Sequence, residues 1–149
     1  MKHLTNERGQ SLVELAISIL ILIYLLAGAV EFGLAFFQYV QLRDAAQEGA
    51  LYGSMDPPDN AGDTARIAAI QNRARAASDK PIDLAADPTV TVDVVVTDGQ
   101  YCEGGSLQVT VSYDHRIFMP FIPEFIGGNI IPLEATVTDT ILAPVCGGP

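Results

Sequence analysis

Few residues in this sequence could do chemistry, and their spacing limits what that chemistry is. Asp114 and His115 set an acid beside a base. On a strand, adjacent side chains point to opposite faces, so the two could not share a proton. The run DPPDNAGD carries Asp56, Asp59, Asn60 and Asp63, a faint likeness to an oxygen-ligand cluster for calcium. It lacks the spacing and closing glutamate of an EF-hand loop, and a linker followed by a helix cap explains it better. Cys102 and Cys146 with His3 and His115 make no metal set of recognised spacing. No serine has a His and an acid in a known motif, and no glycine-rich phosphate loop follows a strand. Arg66, Arg73 and Arg75 could hold an anion, although a solvated helix face accounts for them more simply. These residues point away from an enzyme and imply no catalytic residue, metal, cofactor or small-molecule substrate.

Two further carboxylates are notable for their position. Glu14 sits at the edge of a long apolar run, and Glu31 interrupts it. Leu15 to Val30 contains no charge and would span about 24 Å as a helix. Extended past Glu31 to Phe37, the run can cross a hydrocarbon core of about 30 Å. Gly28 and Gly33 are tolerated in membrane helices. Lys2 and Arg8 make the leader mildly basic, which sets the N-terminus in the cytoplasm and the rest outside. The apolar part is too long for an ordinary secretory signal, and LAGAV at 26–30 is the nearest approach to a cleavage site. By length Glu31 falls near the outer membrane boundary, where it is expected to reach water; the alternative is a partner helix in an assembly.

The helical pattern continues without proline to Ser54, and Pro57 and Pro58 then end it. Within it Ala45, Gly49 and Gly53 recur on one side, a small-residue stripe that permits close approach by a neighbour. Alternatively, the glycines merely weaken the helix end. After a linker at 55–62, DTARIAAIQNRARAAS reads as a second helix capped by Asp63. The period then changes to two. Val90, Val92, Val94 and Val96 share one strand face, and Leu107, Val109, Val111 and Tyr113 share another. Turn chemistry in DGQYCEGGS joins them as an antiparallel hairpin. IIPLEATVTDTIL offers a further strand with Leu133, Ala135 and Val137 inward. The expected fold is α+β: a long N-terminal transmembrane helix continuing into a domain with a second helix and a small antiparallel sheet. The segment RIFMPFIPEFIGGNIIP (116–132) either folds over the sheet edge to finish the core or forms an exposed apolar patch toward another subunit or the membrane.

The chain has 149 residues and a net charge of −10, nearly all of it beyond the apolar run. Such a domain is suited to solubility outside a cell and not to nucleic acid, which needs clustered Lys and Arg. If the domain is exported, a Cys102–Cys146 disulfide is the natural reading; otherwise the thiols stay unpaired. The bridge would close a loop of about 40 residues, worth roughly 3–4 kcal/mol.

Gly9 followed by QSLVE resembles the class III leader of type IV pilin-like proteins. With VEFG at 30–33 and AAQEGA at 45–50, the stretch from Arg8 to about Ser54 is similar to the TadE-like proteins of the Tad pilus system. The resemblance implies a basic leader 1–9 cut after Gly9, a mature start at Gln10, and Glu14 as the carboxylate at the fifth mature position. The rest divides into a long helix 10–54 and an extracytoplasmic domain 63–149. Glu14 would then lie in the first helical turn. There the dipole favours an anion and the new Gln10 amine could pair with it. An uncut chain would remain a single-pass membrane protein.

The resemblance also implies a membrane-anchored structural or assembly protein, a minor pilin or pseudopilin. Its partners would be the membrane, the Tad pilus machinery, other pilin-like subunits and, if processed, the prepilin peptidase. Its place would be the inner membrane or the base of a surface pilus. The alternative is a membrane-tethered extracytoplasmic binding or adhesion module with no pilus role.

Overall fold

The computed structural model describes residues 7–120 and 122–146. Lys2, cited for topology, and Phe121 of the Phe/Pro segment lie outside the described residues, as does most of the leader 1–9. Helix α1 runs Glu7–Met55, 49 residues, or about 73 Å at 1.5 Å per residue. Nothing in ERGQ breaks a helix, and α1 includes Glu7 to Gln10. It ends where Pro57 and Pro58 make continuation unfavourable.

The two halves of α1 live in different surroundings. Its most apolar 18-residue stretch is wholly unburied by the rest of the chain, and α1 is long and apolar enough to cross a membrane. Ile17, Leu22 and Leu26 each stay more than half exposed. Farther along, Leu42, Ala45, Ala46 and Ala50 are fully buried. These positions recur at three and four residues, so they form one helix stripe.

Helix α2 (Thr64–Arg75) is capped by Asp63, whose side chain accepts from the Arg66 N–H. It buries Ile70 and Ala74 against that stripe. Strands β1 (Thr91–Val96), β2 (Ser106–Arg116) and β3 (Ile130–Thr140) form one antiparallel sheet in the order β1-β2-β3. Val94 pairs with Val109, and Val109 with Val137. Strict alternation turns Val92, Val94, Leu107, Val109, Val111 and Ala135 inward. The inward face packs on the upper half of α1, giving the expected α+β arrangement.

The chain ends of this unit are tied together. Gln41 is buried, its amide donating to the Ile82 carbonyl at 2.7 Å and accepting from the Ile82 N–H at 3.0 Å. Ser54 O accepts from Leu142 N at 2.8 Å, and Glu103 N donates to Pro144 O at 2.8 Å. Cys102 and Cys146 are joined by a disulfide. The loop between β1 and β2 is thereby fixed to the chain that follows β3 and to the end of α1.

The Phe/Pro segment does not finish the core. None of its described residues belongs to the buried cluster. Instead it leaves β2, forms the short helix α3 (Ile122–Ile126) and returns to β3. Pro123 is accommodated because the first helical turn needs no N–H from it. Phe118 is 75% exposed.

Candidate functional site

The principal polar site among the described residues lies where β2 meets α1. Alternation along β2 puts His115 on the inward face with Leu107, Val109 and Val111. The helical repeat puts Glu31 and Gln38 on the stripe that continues to Leu42 and Ala45. The two faces meet. His115 Nε2 lies 2.9 Å from Glu31 Oε1, and Nδ1 lies 2.5 Å from Gln38 Oε1. The Phe118 N–H donates to the same Glu31 oxygen at 3.2 Å. His115 is fully buried and Glu31 is 4% exposed.

This corrects the expectation that Glu31 reaches water. A helix of this length allows that depth, but β2 extends low enough to cover the carboxylate. Asp114 is exposed while His115 is buried, as opposite strand faces require. The acid that faces the histidine therefore comes from α1.

With the Gln38 amide oxygen toward the ring, both ring nitrogens face acceptors, the pattern an imidazolium satisfies. With that amide turned over, a neutral ring donates from Nε2 and accepts at Nδ1. Either way the cluster joins three elements: the boundary of the apolar run, the end of β2, and the start of the Phe/Pro segment. Glu31 Oε2 is buried with no hydrogen-bond partner among the described residues, a standing cost offset by surrounding contacts. Nothing nucleophilic adjoins the pair in these contacts; its chemistry is that of a polar latch.

The structure places the other residues read from sequence as follows. Gly9 and Gln10 lie in the first turn of α1, and Glu14 is exposed. Ala45 is fully buried. A Cβ on Gly49 would stand 3.0 Å from the Ala74 Cβ, and one on Gly53 would stand 2.8 Å from Leu107 Cδ2. The neighbours of this stripe are therefore α2 and β2 of the same chain.

The arginines of α2 form neither an anion site nor a simple solvated face. Arg66 pairs with Asp56, Asp59 and Asp63. Arg73 pairs with Glu48. Arg75 is half-buried and donates to the carbonyls of Leu84 and Val90 at 3.1 and 2.7 Å. Backbone N–H groups of Asp59 and Arg66 hold the Asp63 carboxyl below its ordinary value. The aspartates of the DPPDNAGD run are thus satisfied by protein donors. Among the described residues no group of three or more His, Cys, Asp or Glu is placed to hold a metal ion.

Sequence reasoning missed Gln38 and His115 as site residues, although the signals were present. His115 continues the odd-numbered inward series of β2. Glu31 and Gln38 are spaced by seven residues and continue the stripe toward Ala45.

Comparison with known proteins adds one match. Residues 9–51 match the family described as TadE-like protein, the family that the sequence resembles. The matched segment takes in Glu14, Glu31, Gln38 and Gly49, but it is under a third of the chain and stops short of the sheet. No curated protein and no solved structure matches the chain.

Proposed function

We propose that this chain is a structural or assembly component of a Tad-type pilus, a TadE-like minor pilin or pseudopilin anchored in the inner membrane by α1. The supporting observation is that the TadE-like match covers the wholly unburied apolar part of α1 and the stripe on which the outer domain is built. On this reading the acidic domain stands outside the cytoplasmic membrane. Its disulfide fits an oxidising compartment. The protein acts by association: α1 packs beside other membrane or pilus helices, while the domain offers a surface to the machinery.

Processing belongs to the same proposal. The prepilin peptidase would cut between Gly9 and Gln10. That bond lies within the first described turn of α1. The cut would bring Glu14 close to a new helix start and to the Gln10 amine. An anion is stabilised there by both.

Intact mass of the protein isolated from its native membrane tests processing. A chain starting at Gln10 is expected, and one retaining Met1 refutes the cut. Co-purification from detergent-solubilised membranes tests assembly. Wild type should bring down Tad pilus proteins, and Glu14→Ala should bring down fewer. Recovery of none by the wild type would remove the pilus reading and favour a tethered binding module.

A further inference from the structure

We infer that the turn at Ile117–Pro120 is a second membrane contact, a wedge that enters the acyl region of the leaflet facing the domain. The inference rests on the membrane-anchored reading of α1. Depth carries the argument first. Met119 and Pro120 line a cavity of about 490 Å³ together with Ile19, Ile23, Tyr24 and Ala27 of α1. Ala27 and Ile19 precede Glu31 by about one and three turns, or roughly 6 and 18 Å along the axis. Whatever lies beside them stands at hydrocarbon depth when α1 spans the bilayer.

Composition and hydrogen bonding agree with that depth. From Ile117 to Pro123 the sequence IFMPFIP has no charge. Its flanking charges, Arg116 and Glu124, are both exposed. Glu124 sits on α3, whose Ile122 and Ile126 line a cavity with Gly28, Glu31 and Tyr39, at the level of the boundary where water reaches. Backbone donors are costly in lipid unless satisfied. Here Ile117 N donates to Asn129 O at 3.0 Å and Gly127 N to Pro123 O at 2.9 Å. Phe118 N donates to Glu31, and Pro120 and Pro123 have no N–H to satisfy. An uncharged turn with a Phe side chain 75% exposed fits hydrocarbon better than water. The Glu31–His115 pair then acts as the hinge pin that sets the wedge's height against α1.

The chain has no tryptophan, so a single introduced one reports its own surroundings. Full-length Phe118→Trp, Leu22→Trp and Val95→Trp would be reconstituted in phosphatidylcholine vesicles with and without brominated acyl chains. Leu22 and Val95 are respectively 56% and 45% exposed, one on the apolar helix and one on the sheet. The wedge predicts that Phe118→Trp is blue-shifted relative to Val95→Trp and loses emission to bromine as Leu22→Trp does. Met119→Trp should behave the same way and serves if Phe118→Trp fails to fold. An unquenched, red-shifted tip beside a quenched Leu22→Trp overturns the wedge and leaves the anchor standing. A blue-shifted but unquenched tip also overturns it, since the cover would then be protein, such as a second copy. If Leu22→Trp itself is unquenched, the membrane reading fails and the wedge fails with it.

Discussion

Replacing Glu31 by leucine tests whether the domain is held to the helix by a buried polar pair. The change removes an acceptor used by His115 Nε2 at 2.9 Å and by Phe118 N at 3.2 Å. Each donor orphaned in a buried setting costs about 1–3 kcal/mol. The sum is about 2–6 kcal/mol. His115→Leu should cost a similar amount, because it strands Glu31 and Gln38. The double variant should lose less than the two single losses added, since the His115–Glu31 contact is then removed once and neither side chain is left facing an unmatched partner. A coupling energy of about 1–3 kcal/mol is expected from the cycle. The measurement is denaturant unfolding of the outer domain of the full-length protein in detergent micelles. Near-UV circular dichroism of the five tyrosines would follow it. Losses under about 0.5 kcal/mol for Glu31→Leu, or strictly additive losses, would refute the account of the pair as one buried unit.

Gly49→Val should cost about 1–3 kcal/mol by overpacking, because its first carbon already meets the Ala74 Cβ at 3.0 Å. Gly33→Val, with nothing within 4 Å of the added carbon, should carry no such cost by the same unfolding assay. Cys102→Ser with Cys146→Ser should lower stability by about 4 kcal/mol in the chain-entropy account for a separation of 44 residues. A shift in denaturation midpoint at unchanged slope would report it. Asp63 has a folded pKa below its ordinary 3.8, chiefly through the Asp59 N–H and then the Arg66 N–H. Its stabilising contribution is therefore complete above that ordinary value and is lost as pH falls through the lower, folded one. Asp63→Asn should flatten that part of the acid limb in a pH series of thermal midpoints, and an unchanged limb would refute the assignment.

The sequence by itself determined the elements and their faces. A proline-free stretch that runs from the apolar segment to Pro57 and Pro58 reads as one long helix. Alternating valines in β1 and β2 can bury only one side, and Asp63 is a cap wherever a helix starts after it. These are local properties, set by backbone sterics and by the period of burial. Even His115 and Glu31 had their directions written in those periods, but direction does not give distance. Only the tertiary structure decided that β2 extends far enough down α1 to cover a carboxylate that chain length alone would leave at the water boundary. It likewise decided that the small-residue stripe is filled by α2 and β2 of the same chain, and that the Phe/Pro segment drops alongside the apolar helix rather than over the sheet edge. Such outcomes depend on register between elements distant in sequence. That register is fixed by the sum of many contacts and by no single residue that a reader of the chain could point to.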